Sequence, residues 1–417
     1  MRFTLPVAAA CTLSSLSLAQ DCAFQSLNNP FSNDSYAIFE YNKAVYDGGW
    51  YHFRRDEGGQ VGWTSFGGDI GGGTVDTFVK DMIVFEGDLI VGGPLTFAGG
   101  LPVGNIARWN GNFYSAMGDG FGAGEVETLD VYDGKVVAAG SIRAGGLGNP
   151  INRIAMFDND SGQWQGIGGG MTGSGGPGFG VEVWDVVVYQ GELIATGRFE
   201  FAGNTRVDGV ARWDGTQWHP MGRLSYGAGN LGIGTALAVH DGALFLSGFF
   251  TKIEGQDIVW MAQWTGGTSW LPVGSAPSRH SLSMASFKGQ LYAAGPAGFT
   301  IDGTQYDFAR WNGAQWEGIA DADGLIIDIS PTEDRLLISG TFSQMNGVHY
   351  GNLVELRCED NPCEPDFTGD GQLDFFDVSA FITAFNAMDP AADFTGDGQF
   401  NFFDISSFIT AFNAGCP

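Results

Sequence analysis

Two segments near the C-terminus, Asp366–Ala387 and Asp393–Ala414, are offset by 27 residues and identical at 18 of 22 positions. Each opens Asp-Phe-Thr-Gly-Asp-Gly-Gln and then reaches Phe-Phe-Asp. Calcium takes about six to eight hard oxygen ligands, and a loop of about twelve residues presents them from positions 1, 3, 5, 7, 9 and 12. In the first segment those positions are Asp366, Thr368, Asp370, the Gln372 carbonyl, Asp374 and Asp377. In the second they are Asp393, Thr395, Asp397, the Gln399 carbonyl, Asn401 and Asp404. Gly371 and Gly398 stand at position 6, where the sharp turn needs glycine. One such loop is a weak signal; two in tandem predict a pair of sites for two Ca2+ ions.

The elements that hold these loops are readable too. Val378, Phe381, Ile382 and Phe385 fall at helical spacing, and Ile405, Phe408, Ile409 and Phe412 repeat the pattern. Two helices should therefore pack face to face in a small unit over 366–417, after a linker at 358–365. A core this small needs calcium or a crosslink to stand.

The chain opens with Met1-Arg2 and an apolar run from Phe3 to Leu18, which reads as a secretory signal peptide over 1–19, cut after Ala19. That removes Cys11 and leaves Cys22, Cys358, Cys363 and Cys416. Export permits disulfides. Of the three possible pairings, Cys22–Cys358 and Cys363–Cys416 are favoured, because each pair brackets one candidate domain. No later stretch is apolar enough to span a membrane. With 47 acidic against 19 basic residues and a net charge of −28, the chain repels nucleic acid and anionic lipid. The expected location is secreted or at the cell surface.

Between the cysteines the chain repeats itself about every fifty residues. One element is a polar residue and Gly before a strand, as in Glu86-Gly87, Asp133-Gly134, Gln190-Gly191, Asp241-Gly242 and Lys288-Gly289, with a weaker copy at Asp334-Arg335. A second is Arg-Trp-Asn/Asp-Gly at Arg108–Gly111, Arg212–Gly215 and Arg310–Gly313. A third is an aromatic four residues before Gly: Tyr114/Gly118, Trp164/Gly168, Trp218/Gly222 and Trp270/Gly274. Many of the 67 glycines mark these turns. Such units cannot bury both faces alone and pack around an axis. Six complete units predict a six-bladed propeller over 20–357, with residues 36–62 available for part of a seventh blade. The last unit lacks its aromatic-Gly strand, and the orphan copy Trp63–Gly67 is expected to complete it and close the ring.

Six residues before the repeat Gly, or its equivalent Asp334, stand Asp81, Thr128, Asp185, Ala236, Ser283 and Asp328. Apolar residues follow each, so the polar set points away from the core. If this strand is innermost, Asp81, Asp185 and Asp328 approach the axial channel and form a candidate ligand or cation site. The competing role is hydrogen bonding between blades. Trp109, Trp213, Trp264 and Trp311 recur at equivalent places and read as blade core, whereas Trp50, Trp184 and Trp260 lie outside the repeats and are the better ligand candidates. Arg108, Arg212 and Arg310 are expected to bond between blades. The glycine runs lack the Gly-Lys-Ser/Thr ending of a phosphate loop, and the five histidines show no ligand spacing. No catalytic motif is recognisable.

The Ala-Arg-Trp-Asp-Gly wording of the units resembles the kelch-like repeats of secreted bacterial propellers, over roughly 60–357. The paired loops resemble dockerin modules, with Asp at position 12 and one helix after each loop. That resemblance implies a cohesin-like or cell-surface protein partner. Thr at position 3 and the pairs Phe375-Phe376 and Phe402-Phe403 depart from the dockerin pattern. Together these features predict a secreted, non-catalytic binding or scaffold propeller with a calcium-dependent docking module, its propeller ligand a polysaccharide or a protein. The alternative is a carbohydrate-active enzyme whose tag attaches it to an extracellular complex.

Overall fold

A two-residue hairpin turn that matches strand twist needs both central residues at positive φ, which is why a polar residue and Gly recur at the first repeat element. Glu86 and Gly87 stand at φ 51° and 82°, and the equivalent pairs through Lys288-Gly289 do the same. In this computed structural model the described residues are 79–145, 151–175, 180–274, 279–358, 365–368, 373–389, 392, 394 and 399–414, with strands Cys22–Ser26, Ser35–Tyr41, Ala44–Gly49, His52–Asp56 and Thr64–Ser65. Residues Phe24–Arg357 form one compact unit, and Cys358–Pro417 fall outside it.

Each turn joins the first two strands of a meander. Among the described residues the repeat units form sheets over 81–116, 126–166, 182–220, 233–272, 283–320 and 326–358, here sheets 2 to 7, with the short strand Phe121–Ala123 added to sheet 3. A further meander, sheet 1, spans Ser35–Ser65. The first strand of each sheet packs against the first strand of the next, and that of sheet 7 meets that of sheet 1. The sheets therefore close a ring.

The closing strand differs from the one expected. Thr64–Ser65 is the outer strand of sheet 1, while Cys22–Ser26 pairs with Leu353–Cys358 as the outer strand of sheet 7. With sheet 1 present, the Trp63–Gly67 segment has a sheet of its own to complete.

The aromatic and glycine of the third element serve neighbouring sheets. Tyr114, Trp164, Trp218, Trp270 and Trp316 are all buried. The Trp164 indole donates to the Met117 carbonyl (2.8 Å), Trp218 to Ile167 (3.1 Å), Trp270 to Met221 (2.5 Å) and Trp316 to Val273 (3.3 Å). Each acceptor directly precedes the glycine of the preceding sheet. At Gly168, φ is +56° and a Cβ would lie 2.3 Å from the Trp213 ring. The motif thus leaves room for the next sheet's indoles. Of the second-element tryptophans, Trp109 and Trp213 are buried and Trp264 and Trp311 half-buried.

The repeated arginines bond within sheets, not between them. Arg108 pairs with Asp88 and, at 3.3 Å, Glu86; Arg212 pairs with Glu192 (2.5 Å) and Arg310 with Glu317 (2.8 Å). On an adjacent strand the acidic partner is near enough to satisfy the guanidinium locally. Sheet 7 reverses the charges: Arg335 takes the place of Glu192, Glu355 that of Arg212, and the two meet at 2.6 Å.

In the C-terminal unit, helix α1 spans Phe375–Ala387 and α2 spans Phe402–Ala414. Phe381 and Phe408 are buried against each other, with Phe367 and Phe394 edge-on to them. Those two loop rings complete the core, so Ile382 and Ile409, expected on the inner face, point to solvent.

Candidate functional site

In sheets 2, 3, 4, 6 and 7 a polar residue directly precedes a buried apolar one on the inner strand, whereas sheet 5 carries Ala236 at that place. Met82, Leu129, Val186, Leu237, Met284 and Ile329 are buried in the sheets. Asp81, Thr128, Asp185, Ser283 and Asp328, which precede five of them, line a cavity of about 490 Å³ where the first strands converge. Lys80, Glu127 and Trp184 line it as well.

These polar groups tie one sheet to the next. Asp81 accepts from its neighbour Met82 N–H (2.7 Å) and from Leu129 N–H of sheet 3 (2.7 Å). Asp185 accepts from Leu237 N–H of sheet 5 (2.6 Å) and from the Thr128 hydroxyl of sheet 3 (3.4 Å). Ser283 Oγ accepts from Ile329 N–H of sheet 7 (3.2 Å) and donates to Asp328 (3.4 Å). The inter-sheet bonding and the cavity lining belong to the same residues.

Burial shapes their ionisation. Asp185 is pushed up to about 7 by burial, against the Leu237 and Val186 N–H groups that favour its charge. Asp81 is raised well above the usual carboxylate range by burial, with the charges of Asp328 and Asp185 adding to it. Lys80 lies 2.9 Å from Glu125 and also pairs with Glu127. Burial pushes Glu127 up to about 7 although Lys80 pulls it down. The Trp184 indole donates to Glu182 (2.8 Å), and the Arg198 guanidinium lies 5.5 Å over the Trp184 ring. Trp260 stands elsewhere, against Tyr226, Phe249 and His280. Trp50 lies outside the described residues.

Of the loop positions, Asp366, Thr368, Asp374, Asp377, Gln399, Asn401 and Asp404 are described; Asp370, Gln372, Asp393, Thr395 and Asp397 lie outside the described residues. Asp377 is fully buried and accepts from Thr368 N–H (3.0 Å), the Thr368 hydroxyl (2.9 Å) and Asp374 N–H (2.9 Å). The same hydroxyl lies 3.3 Å from Asp366. Asp374 caps α1 through Phe376 N–H (2.7 Å). In the second loop, Asp404 is fully buried and accepts from Asn401 N–H (2.8 Å), while Asn401 caps α2 through Phe403 N–H (2.8 Å). A donor set of clustered carboxylate and hydroxyl oxygens fits a hard cation. Among the described residues no three His, Cys, Asp or Glu side chains form a metal-sized cluster. Cys22 is disulfide-bonded; the side chains of Cys358, Cys363 and Cys416 lie outside the described residues, as does the 1–19 segment.

No family model matches the chain, and no curated protein matches it. Solved structures do. The extracellular domain of BT4673 from B. thetaiotaomicron aligns with a TM-score of 0.54 at 10% identity, covering 80% of this chain and 39% of that one. Virginiamycin B lyase from Staphylococcus aureus aligns with a TM-score of 0.51 at 10% identity, covering 81% and 99%. The chain thus spans about two fifths of the BT4673 chain. Among the described residues no helix is long and apolar enough to cross a membrane. At such identities the likeness speaks for architecture alone. The ring of sheets is a β-propeller.

Proposed function

We propose that the chain is a secreted, non-catalytic binding propeller of seven blades that carries a calcium-dependent docking module. Sheets 1 to 7 are the blades, residues 1–19 the export signal, and Cys22–Cys358 the bond across the seam. Cys363–Cys416 then brackets the paired loops, which hold two Ca2+ ions. The kelch-like and dockerin-like resemblances support this division.

One observation carries the docking half. The buried carboxylates Asp377 and Asp404 lie in the first turns of two equivalent helices, and each first turn presents a pair of aromatic rings to solvent. Phe375, Phe376, Phe402 and Phe403 are 76%, 66%, 73% and 67% exposed. Exposed apolar residues in such concentration mark interaction surfaces. Calcium would order the loops from which these helices start, so that partner binding follows metal occupancy. The partner is a protein, cohesin-like or a cell-surface component. Full-length protein immobilised with calcium should retain a partner from the surface fraction of its own source. Chelation with EDTA, or alanine at all four Phe positions, should release it. Equal recovery in all three conditions overturns the docking reading.

A second reading has one observation in its favour. A carboxyl held protonated near neutral pH suits a general acid, and Asp185 lines a cavity with Asp81 and Asp328. Glycoside hydrolysis pairs one such acid with an ionised carboxylate about 5–10 Å away. Turnover of a polysaccharide that Asp185→Asn abolishes would favour this carbohydrate-active enzyme over the binder.

A further inference from the structure

Sheets 2 to 7 share an irregularity at the start of their inner strands. In a regular strand consecutive side chains turn to opposite faces, yet here two in a row reach the axial cavity. A bulge is the reason. The register skips Glu127, Trp184, Thr235 and Ile327 in sheets 3, 4, 5 and 7. In sheets 2 and 6, Lys80 N–H (2.8 Å) and Leu282 N–H (2.7 Å) donate to Gly92 and Ala294, the residues already opposite Asp81 and Ser283. All six of these bulge residues line the cavity of about 490 Å³. Bulges re-aim side chains in this way beside functional sites.

The residue after the bulge serves the ring, as Asp81 and Asp185 do in bonding to another sheet. The bulge residue itself is of a different type in every sheet, so closing the ring does not dictate it. Lys80, Glu127 and Trp184 make one wall polar and aromatic, while Leu282, Ile327 and Pro331 make another apolar. Trp184 is fixed in that wall: its indole donates to Glu182 (2.8 Å), and the Arg198 guanidinium donates to the same carboxylate (3.0 Å).

The charges give the ligand its sign. Lys80, the one cation among the described lining residues, is matched by both Glu125 and Glu127. An anion would therefore enter without a partner. Asp81 feels the charges of Asp328 and Asp185, and a cation between them relieves that repulsion. A bare metal ion would leave the apolar wall uncovered, and no cluster of three His, Cys, Asp or Glu side chains stands ready for it among the described residues.

We propose that the axial cavity binds an organic cation, a primary ammonium ion on a hydrocarbon body. The ammonium lies among the carboxylates of Asp81, Asp185 and Asp328, and the body lies against Leu282, Ile327 and Trp184. The volume is within the ~300–1,000 Å³ of small-ligand sites. A free amine and a lysine side chain share this chemistry. The inference rests on reading the propeller as a binder.

The test uses full-length protein with saturating calcium and four probes: hexylammonium, hexanol, hexanoate and the capped tripeptide acetyl-Ala-Lys-Ala-amide. Calorimetry and tryptophan fluorescence read the binding. Hexylammonium or the tripeptide should bind at least tenfold tighter than hexanol and hexanoate; the tighter of the two identifies the source as a free amine or a lysine side chain. Asp328→Asn should weaken that binding tenfold or more, and so should Ile327→Ser, which touches no bond between sheets. Hexanoate or hexanol binding as tightly as the ammonium probes overturns the cation while leaving the propeller a binder. Ammonium binding that survives both variants overturns the axial site. Failure of all four probes overturns the proposal, and a glycan array probed with the same protein then judges the binder reading by itself.

Discussion

Phe381 and Phe408 lie face to face, with ring centroids 3.9 Å apart and planes 1° from parallel. They occupy the same position in the two copies of the C-terminal segment, so the duplicated sequence meets itself at its own core. Removing a buried Phe costs about 3–5 kcal/mol, a large part of what a unit this small can hold. Phe381→Ala in the full chain should abolish a calcium-dependent unfolding transition and leave the propeller's transition in place, as read by scanning calorimetry.

Asp377→Asn keeps one acceptor oxygen where Asp377 uses two, one for Thr368 and one for Asp374, and removes the charge at position 12. Titration of calcium-free full-length protein should then show one strong calcium site where the wild type shows two. Asp404→Asn should mirror it, and the double variant should show neither. Two strong sites in the double variant would remove these residues from the metal centres.

The axial carboxylates make stability fall with rising pH. Asp185 titrates near 7 in the folded chain against about 3.9 when unfolded. Between those values the folded state binds more protons, so stability is greatest at the acid side and declines through pH 4 to 7. Asp81 adds to the same slope. Asparagine at 185 stays neutral and can still accept from Leu237. The Asp185→Asn variant should therefore melt several degrees above wild type at pH 8, a gap that narrows by pH 5.

Two glycines separate backbone strain from crowding. Both Gly111 (φ +94°) and Gly168 (φ +56°) are left-handed, but a Cβ on Gly111 meets nothing within 4 Å while one on Gly168 meets the Trp213 ring at 2.3 Å. Gly111→Ala should cost about 1 kcal/mol and Gly168→Ala roughly 3 kcal/mol or more. Chemical denaturation of each variant checks the difference.

The hairpin turns were legible because a two-residue loop constrains φ at both positions, and only a few residue types meet that demand. The polar belt was legible because Asp81, Asp185 and Asp328 keep a constant distance from those turns. Hydrogen bonding between blades was one of its two readings, but the partners were not legible, since Leu129 and Leu237 contribute backbone N–H groups that carry no residue signature. The closing strand escaped for the same reason: Cys22–Ser26 joins Leu353–Cys358 through the sheet ladder, which asks for no motif, whereas Trp63–Gly67 bears one. The cluster of Tyr226, Phe249, Trp260 and His280 was not legible either, because it gathers residues from separate strands and turns with no shared spacing.

Sheet 7 also sets a timetable. The strand Cys22–Ser26 leaves the ribosome about 330 residues before the partner it pairs with, a wait of roughly 15–65 s at ordinary synthesis rates. Until then the outer strand has no sheet to join, and its unpaired edges are open to other strands. An exported chain can be kept extended and released whole, so that both ends of the circle arrive together.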